Sequence, residues 1–187
     1  MCNELAKITL PHDDNLSPEF VNRLAQLPPL NVFRMMTRAP ASFEQFLDLA
    51  MSVLLASELD ARKREIAVLR VAHVTHSNYE WVQHVEVAKQ TGVTQGEIDL
   101  IGADGEVVEL DDEGNLLCRV ADEISLDVRL SDEALSEIVN RYGERQATEL
   151  ILCCSYFNML SRFLESTRVQ LENTPVLEAG GLDGLDS

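Results

Sequence analysis

The sequence predicts an all-α protein, and three observations carry that expectation. Helix-start signals recur along the chain: Ser17-Pro18-Glu19, Thr94 with Glu97, and Ser131 with Asp132 and Glu133. Apolar residues between them follow helical spacing, as in Phe43, Phe46, Leu47, Ala50, Val53 and Leu54. The extended candidates, Val107-Val108 and residues 127–130, are too short to build a sheet. A chain of 187 residues is long enough for one domain with a real core. Aromatics make up only 5% of it, so that core must come mainly from Leu, Val, Ile and Ala.

Taken in order, residues 1–16 read as a loose N-terminal arm and 17–173 as a single helical domain. The first helix starts at Ser17-Pro18 and stops at Pro28-Pro29. Ser42 with Gln45 reads as a capping box for the next. Asp60 caps a helix running from Ala61 to about Thr75, apolar nearly all round and therefore expected at the centre. A turn at Thr75-His76-Ser77 leads into a helix over 78–90, which Thr91-Gly92 stops, with glycine in the left-handed conformation. A short helix follows from Thr94 to Gly102. Residues 104–113 hold six acids and read as a solvated loop. Helices are expected at about 115–125, 132–141 and 144–171. The tail 174–187, ending GGLDGLDS, has little to bury and is expected to be disordered.

The net charge of −17 excludes nucleic acid and an acidic membrane surface as natural partners. The first residues contain no apolar core of a signal peptide, and no run approaches the ~18 apolar residues of a membrane span. The four cysteines, Cys2, Cys118, Cys153 and Cys154, form no C-x-x-C pair and read as buried thiols in a reducing cytoplasm.

Chemistry concentrates between Arg64 and Gly92. Glu65 opens an apolar helix, where a carboxylate needs a partner unless its first-turn position keeps it near solvent. Ser77, Glu80, His84 and Ala88 fall on one stripe of the following helix, so Glu80 and His84 can meet at i, i+4. Ser77 and Glu80 also fit a capping box. An imidazole beside a carboxylate in a pocket is the usual acid–base arrangement. His73 and His76 with Glu80 and His84 match no familiar metal spacing, and no metal or cofactor is expected.

Glu65 followed nineteen residues later by His84, then Ala88…Gly92 and Thr94-Gln95-Gly96-Glu97-Ile98, resembles the core motif of the carboxymuconolactone decarboxylase and alkyl hydroperoxidase D family. Tyr79-Glu80-Trp81…His84, Tyr156-Phe157-Asn158-Met159 and Val169-Gln170-Leu171 resemble a subgroup that lacks the family's C-x-x-C pair. The resemblance spans about residues 28–172 and places the two missing cysteines on Ser77 and Glu80. It implies an AhpD-like helical bundle around a helical hairpin, assembling as a trimer or hexamer. It also implies decarboxylation or proton transfer on a small carboxylated or lactone substrate. His84 would act as the acid, Glu65 and Glu80 as its partners, and Ser77, Tyr79, Trp81 and Tyr156 would contact the substrate. Two other functions stay open: a peroxidase-related role, which lacks its thiol pair here, and a non-catalytic oligomeric binding protein.

Overall fold

A computed structural model describes residues 7–172. The first six residues of the expected arm and the tail from Thr174 lie outside the described residues. Eight α-helices and no strand occur among those described. They are α1 (Pro18–Leu24), α2 (Asn31–Met36), α3 (Phe43–Leu54), α4 (Ala61–Val74), α5 (Asn78–Gln90), α6 (Gln95–Ile101), α7 (Asp112–Leu126) and α8 (Asp132–Thr167). None is long and apolar enough to cross a membrane.

Helix α4 is the centre, and α5, α6, α7 and α8 all pack on it. Nine consecutive residues, Arg64 to Ala72, are buried, so every face of this helix meets protein. Asp60 caps it through Lys63 N. It ends in a Schellman turn: His76 sits at φ 57°, Ser77 N donates to Ala72 O (2.9 Å) and His76 N to His73 O (3.0 Å). The chain thus reverses within three residues, and α4 and α5 form the expected hairpin.

Gly92 takes φ 90° beyond α5, and Thr94 and Glu97 complete a reciprocal capping box on α6. At Ser42 the expected box is absent. A 3-10 turn, Pro40–Ser42, runs straight into α3, so Ser42 has helical rather than extended backbone and its hydroxyl caps nothing. Helix α2 carries no side-chain cap and is too short to show periodicity, so the sequence did not announce it. Helix α7 starts earlier than expected because Asp111, inside the acidic segment, accepts from Gly114 N (2.7 Å). The break anticipated near 142 is Gly143, at φ 76° and ψ 165° within α8. That helix stops at Thr167 rather than near Leu171, where Arg168 turns left-handed and Val169 N reaches back to Leu164 O.

Residues 7–16 are tied down rather than loose. Ile8 N donates to Thr167 O, and Arg34 and Arg38 donate to the carbonyls of Pro11 and Thr9.

Candidate active site

The α4–α5 hairpin brings Glu65 and His84 together. His84 Nδ1 lies 2.7 Å from Glu65 Oε2. The other carboxylate oxygen accepts from Arg64 Nε at 3.1 Å. Glu65 is fully buried and Arg64 nearly so, so the guanidinium supplies the opposite charge that a carboxylate needs away from water. With Glu65 Oε2 as the acceptor, His84 Nδ1 is the donor, and Nε2 is the ring nitrogen left to exchange a proton. Among the described residues Nε2 has no hydrogen-bond partner, and the ring is held edge-on against Phe157 with centroids 4.8 Å apart.

Glu80 does not hydrogen-bond His84. It is buried, and its Oε2 accepts from the Ser161 hydroxyl of α8. Ser161 Oγ is itself 2.8 Å from Thr75 Oγ1. Glu80 Oε1 and the Ser77 hydroxyl are buried without a hydrogen-bond partner of good geometry among the described residues, and Ser77 does not cap α5. Burial pushes the Glu80 carboxyl from 4.5 up to about 7, against the opposing pull of Ser161, His84 and the nearby Ser77 hydroxyl. A raised carboxyl makes folding less favourable as pH rises. Between its unfolded value of 4.5 and about 7 the unfolded chain releases a proton that the folded chain keeps, and above that range the loss is constant. The stability of Glu80→Gln relative to wild type should therefore improve by up to about 3 kcal/mol between pH 4.5 and pH 8 in urea titrations. A gap that stays constant with pH would show that Glu80 ionises normally.

His84 and Glu80 face an apolar cavity of about 190 Å³. Leu27, Leu30 and Phe33 wall it from the α1–α2 region, Phe46, Ala50 and Leu54 from α3, and Tyr156, Phe157 and Leu160 from α8. From α5 it is lined by Tyr79, Glu80, Gln83, His84 and Val87, the i, i+3, i+4 stripe of that helix. Trp81 and Ser77, expected to contact substrate, do not line the cavity. Trp81 projects from the other edge of the stripe, onto His73 and against Gly102, where an added Cβ would meet its ring at 2.8 Å. Ser77 is buried behind Glu80. His73 turns towards Asp104, away from His84.

Three participants went unnoticed in the sequence. Arg64 was legible as a charge beside Glu65 in an apolar helix, and Ser161 as a polar break in the α8 stripe of Phe157, Leu160 and Leu164. Glu172 had no local signal. Its carboxylate accepts from Asn31 N (2.5 Å), Tyr79 Oη (2.5 Å) and Gln83 Nε2 (2.6 Å), fastening the chain after α8 to the cavity wall. Burial and the neighbouring Glu172 raise the Tyr79 phenol well above its usual value, so it stays a donor.

The three described cysteines are buried. Burial pushes Cys118 and Cys154 up to about 12 and raises Cys153 as well, the opposite of an activated thiolate. In a Cys2→Ser chain, native protein should resist a thiol-specific chromogenic reagent over hours and react fully once unfolded. Rapid labelling of the folded chain would reopen thiol chemistry.

The model of the carboxymuconolactone decarboxylase family matches residues 40–123, which include Glu65, Glu80 and His84. No curated protein matches the chain. Among solved structures, an uncharacterized peroxidase-related protein from Silicibacter sp. TM1040 is 17% identical, with a TM-score of 0.76 over 92% of this chain and 94% of that one. An alkylhydroperoxidase AhpD core, an uncharacterized peroxidase-related protein from Ralstonia eutropha JMP134, is 12% identical, with a TM-score of 0.78 over 95% and 97%. A debrominase variant in complex with 2,3,4-tribromopyrrole is 18% identical, with a TM-score of 0.64 over 99% and 97%. At these identities the likenesses show a shared AhpD-like helical fold.

Proposed function

Because the chain belongs to the carboxymuconolactone decarboxylase family through residues 40–123, we propose that it is an acid–base enzyme acting on a small carboxylated or lactone substrate. One observation carries the reading: a histidine oriented by a buried carboxylate, with its second nitrogen unpartnered at an apolar cavity. In proton transfer, His84 Nε2 would take the proton from the carbon beside the substrate carbonyl. The C–H electron pair would move into an enolate and the proton would return at another carbon. In decarboxylation the C–C bond to the carboxylate breaks instead, its electron pair moves into the enolate and carbon dioxide leaves, and His84, having first taken a proton from solvent at Nε2, gives it to the enolate carbon. Glu80, when protonated, supplies a donor for the enolate oxygen, and the apolar walls keep water from competing. Glu65 is a positioning residue that holds the His84 tautomer, and Arg64 holds Glu65. Neither step uses a thiol, which suits the burial of the cysteines. Self-association as a trimer or hexamer belongs to the same reading and is testable by light scattering.

The test is deuterium wash-in from heavy water at the carbon beside the carbonyl of small lactones, carboxymuconolactone among them, with ultraviolet absorbance following decarboxylation. His84→Ala should lose ~10²–10⁴-fold in rate. A variant as active as wild type on a substrate the protein turns over would remove His84 from the mechanism.

A further inference from the structure

We infer, building on the acid–base reading above, that the cavity takes a neutral single-ring molecule bearing one carbonyl in preference to a carboxylate. Charge is the first argument. Among the described residues lining the cavity the one arginine or lysine is Arg23, which lies part-exposed on α1 and is already bound to Glu44 at 3.3 Å. The buried cation nearby, Arg64, is taken up by Glu65. A carboxylate entering here would lose its hydration and meet Glu80 and Glu65 with no free counter-charge. The surrounding chain, at −17, offers no steering towards an anion either.

The second argument is the unmet hydrogen-bonding capacity. Glu80 is 2% exposed and lines the cavity, and while Oε2 accepts from Ser161, Oε1 has only the nearby Ser77 hydroxyl and no hydrogen bond of good geometry. Buried polar atoms in folded proteins are nearly always well paired, so a cavity-lining carboxyl with one oxygen lacking a well-formed hydrogen bond is a place where a ligand atom can be received. A carboxylic acid with one oxygen occupied by Ser161 offers its remaining O–H to an acceptor, which a carbonyl supplies. The groups facing Glu80 are consistent with the protonated form. His84 lies on its own helix and Ser77 just before it, Ser161, Glu165 and Tyr156 reach it from α8, and the Arg64–Glu65 pair of α4 lies behind His84; Ser161, His84 and Ser77 favour the charged form but are outweighed by burial. Burial is the largest influence on its ionisation, and Glu165 adds to it.

Size is the third. A dry apolar cavity of ~150 Å³ accepts benzene, so about 190 Å³ has room for one substituted six-membered ring. Among the substrates open to the acid–base reading, this favours neutral lactones and ketones, and proton transfer over decarboxylation.

The test is equilibrium binding of acetophenone, benzoate and ethylbenzene to the full chain, by ligand-observed NMR at about pH 6 and about pH 8.5, on either side of the Glu80 ionisation. Acetophenone should bind roughly tenfold or more tightly than benzoate at both pH values. It should exceed ethylbenzene several-fold at the lower pH and lose that advantage at the higher one, as Glu80 gives up its proton. In Glu80→Gln, whose amide donates at every pH, the advantage should persist throughout. Benzoate binding as tightly as acetophenone would overturn the inference, and so would failure of all three to bind. Equal binding of acetophenone and ethylbenzene at the lower pH would overturn it too. Because no turnover is measured, these outcomes are independent of the His84→Ala rate, and either reading can fail without the other.

Discussion

Replacing Arg70 by methionine should destabilise the protein by ~3–5 kcal/mol, the range expected when one partner of a buried ion pair is removed. Arg70 sits in the middle of α4 and is 2% exposed. Its guanidinium makes a two-pronged bond to Asp122 of α7, at 2.6 and 3.0 Å. It also donates to the carbonyls of Ile101 (3.0 Å), Ala103 (2.8 Å) and Gly105. Five acceptors are thus met by one side chain, one of them at the last residue of α6 and two in the turn after it. Methionine fills similar space and leaves every acceptor unsatisfied. Arg70→Lys keeps the charge but lacks the planar fork, so it should recover less than half of the loss. Urea midpoints with unchanged slopes measure both. A loss below about 1 kcal/mol for Arg70→Met would show that water replaces the guanidinium there.

Glu65 should separate stability from chemistry. Glu65→Ala strands Arg64, which is 6% exposed, and removes the orienting partner of His84, so it should cost ~3–5 kcal/mol. Glu65→Gln keeps the shape and an acceptor for Arg64, and should cost clearly less. Its amide, however, can donate to His84 Nδ1, which moves the ring proton to Nε2 and removes the base. Activity should then fall ~10²–10⁴-fold while the fold survives, with the acid limb of the rate–pH profile displaced. A purely structural Glu65 would show the reverse: both variants unstable, and whatever stays folded fully active with an unaltered profile.

The elements legible in the sequence are those whose evidence lies within a few residues. The Asp60 cap, the Thr94–Glu97 box, glycine at 92 and the break near 143 are local backbone requirements, and the structure carries each of them. The buried course of α4 follows from apolar residues on all its faces. The pairing of Glu65 with His84 was implied by the family resemblance, whereas helical spacing alone put Glu80 beside His84, and Glu80 turns to Ser161 instead. Trp81 and Ser77 show where such reasoning stops. Helical spacing gives the angle between side chains but not which edge of the stripe faces the cavity, and packing of α6 against Trp81 made that choice.

By itself, then, the sequence determined an all-α chain and its hairpin, because each depends on contacts along one helix or across one tight turn, while the carboxylate and histidine that the hairpin joins were implied by the family resemblance. Tertiary structure alone decided that Ser161 rather than His84 holds Glu80, across 81 residues, and that Glu172 returns to Asn31, across 141. It also decided that an apolar cavity opens beside His84, and that Arg70 gathers the turn after α6. These pairings depend on where whole helices come to rest, and the free energy that sets those positions is spread over the apolar surface they bury rather than written beside the residues that meet.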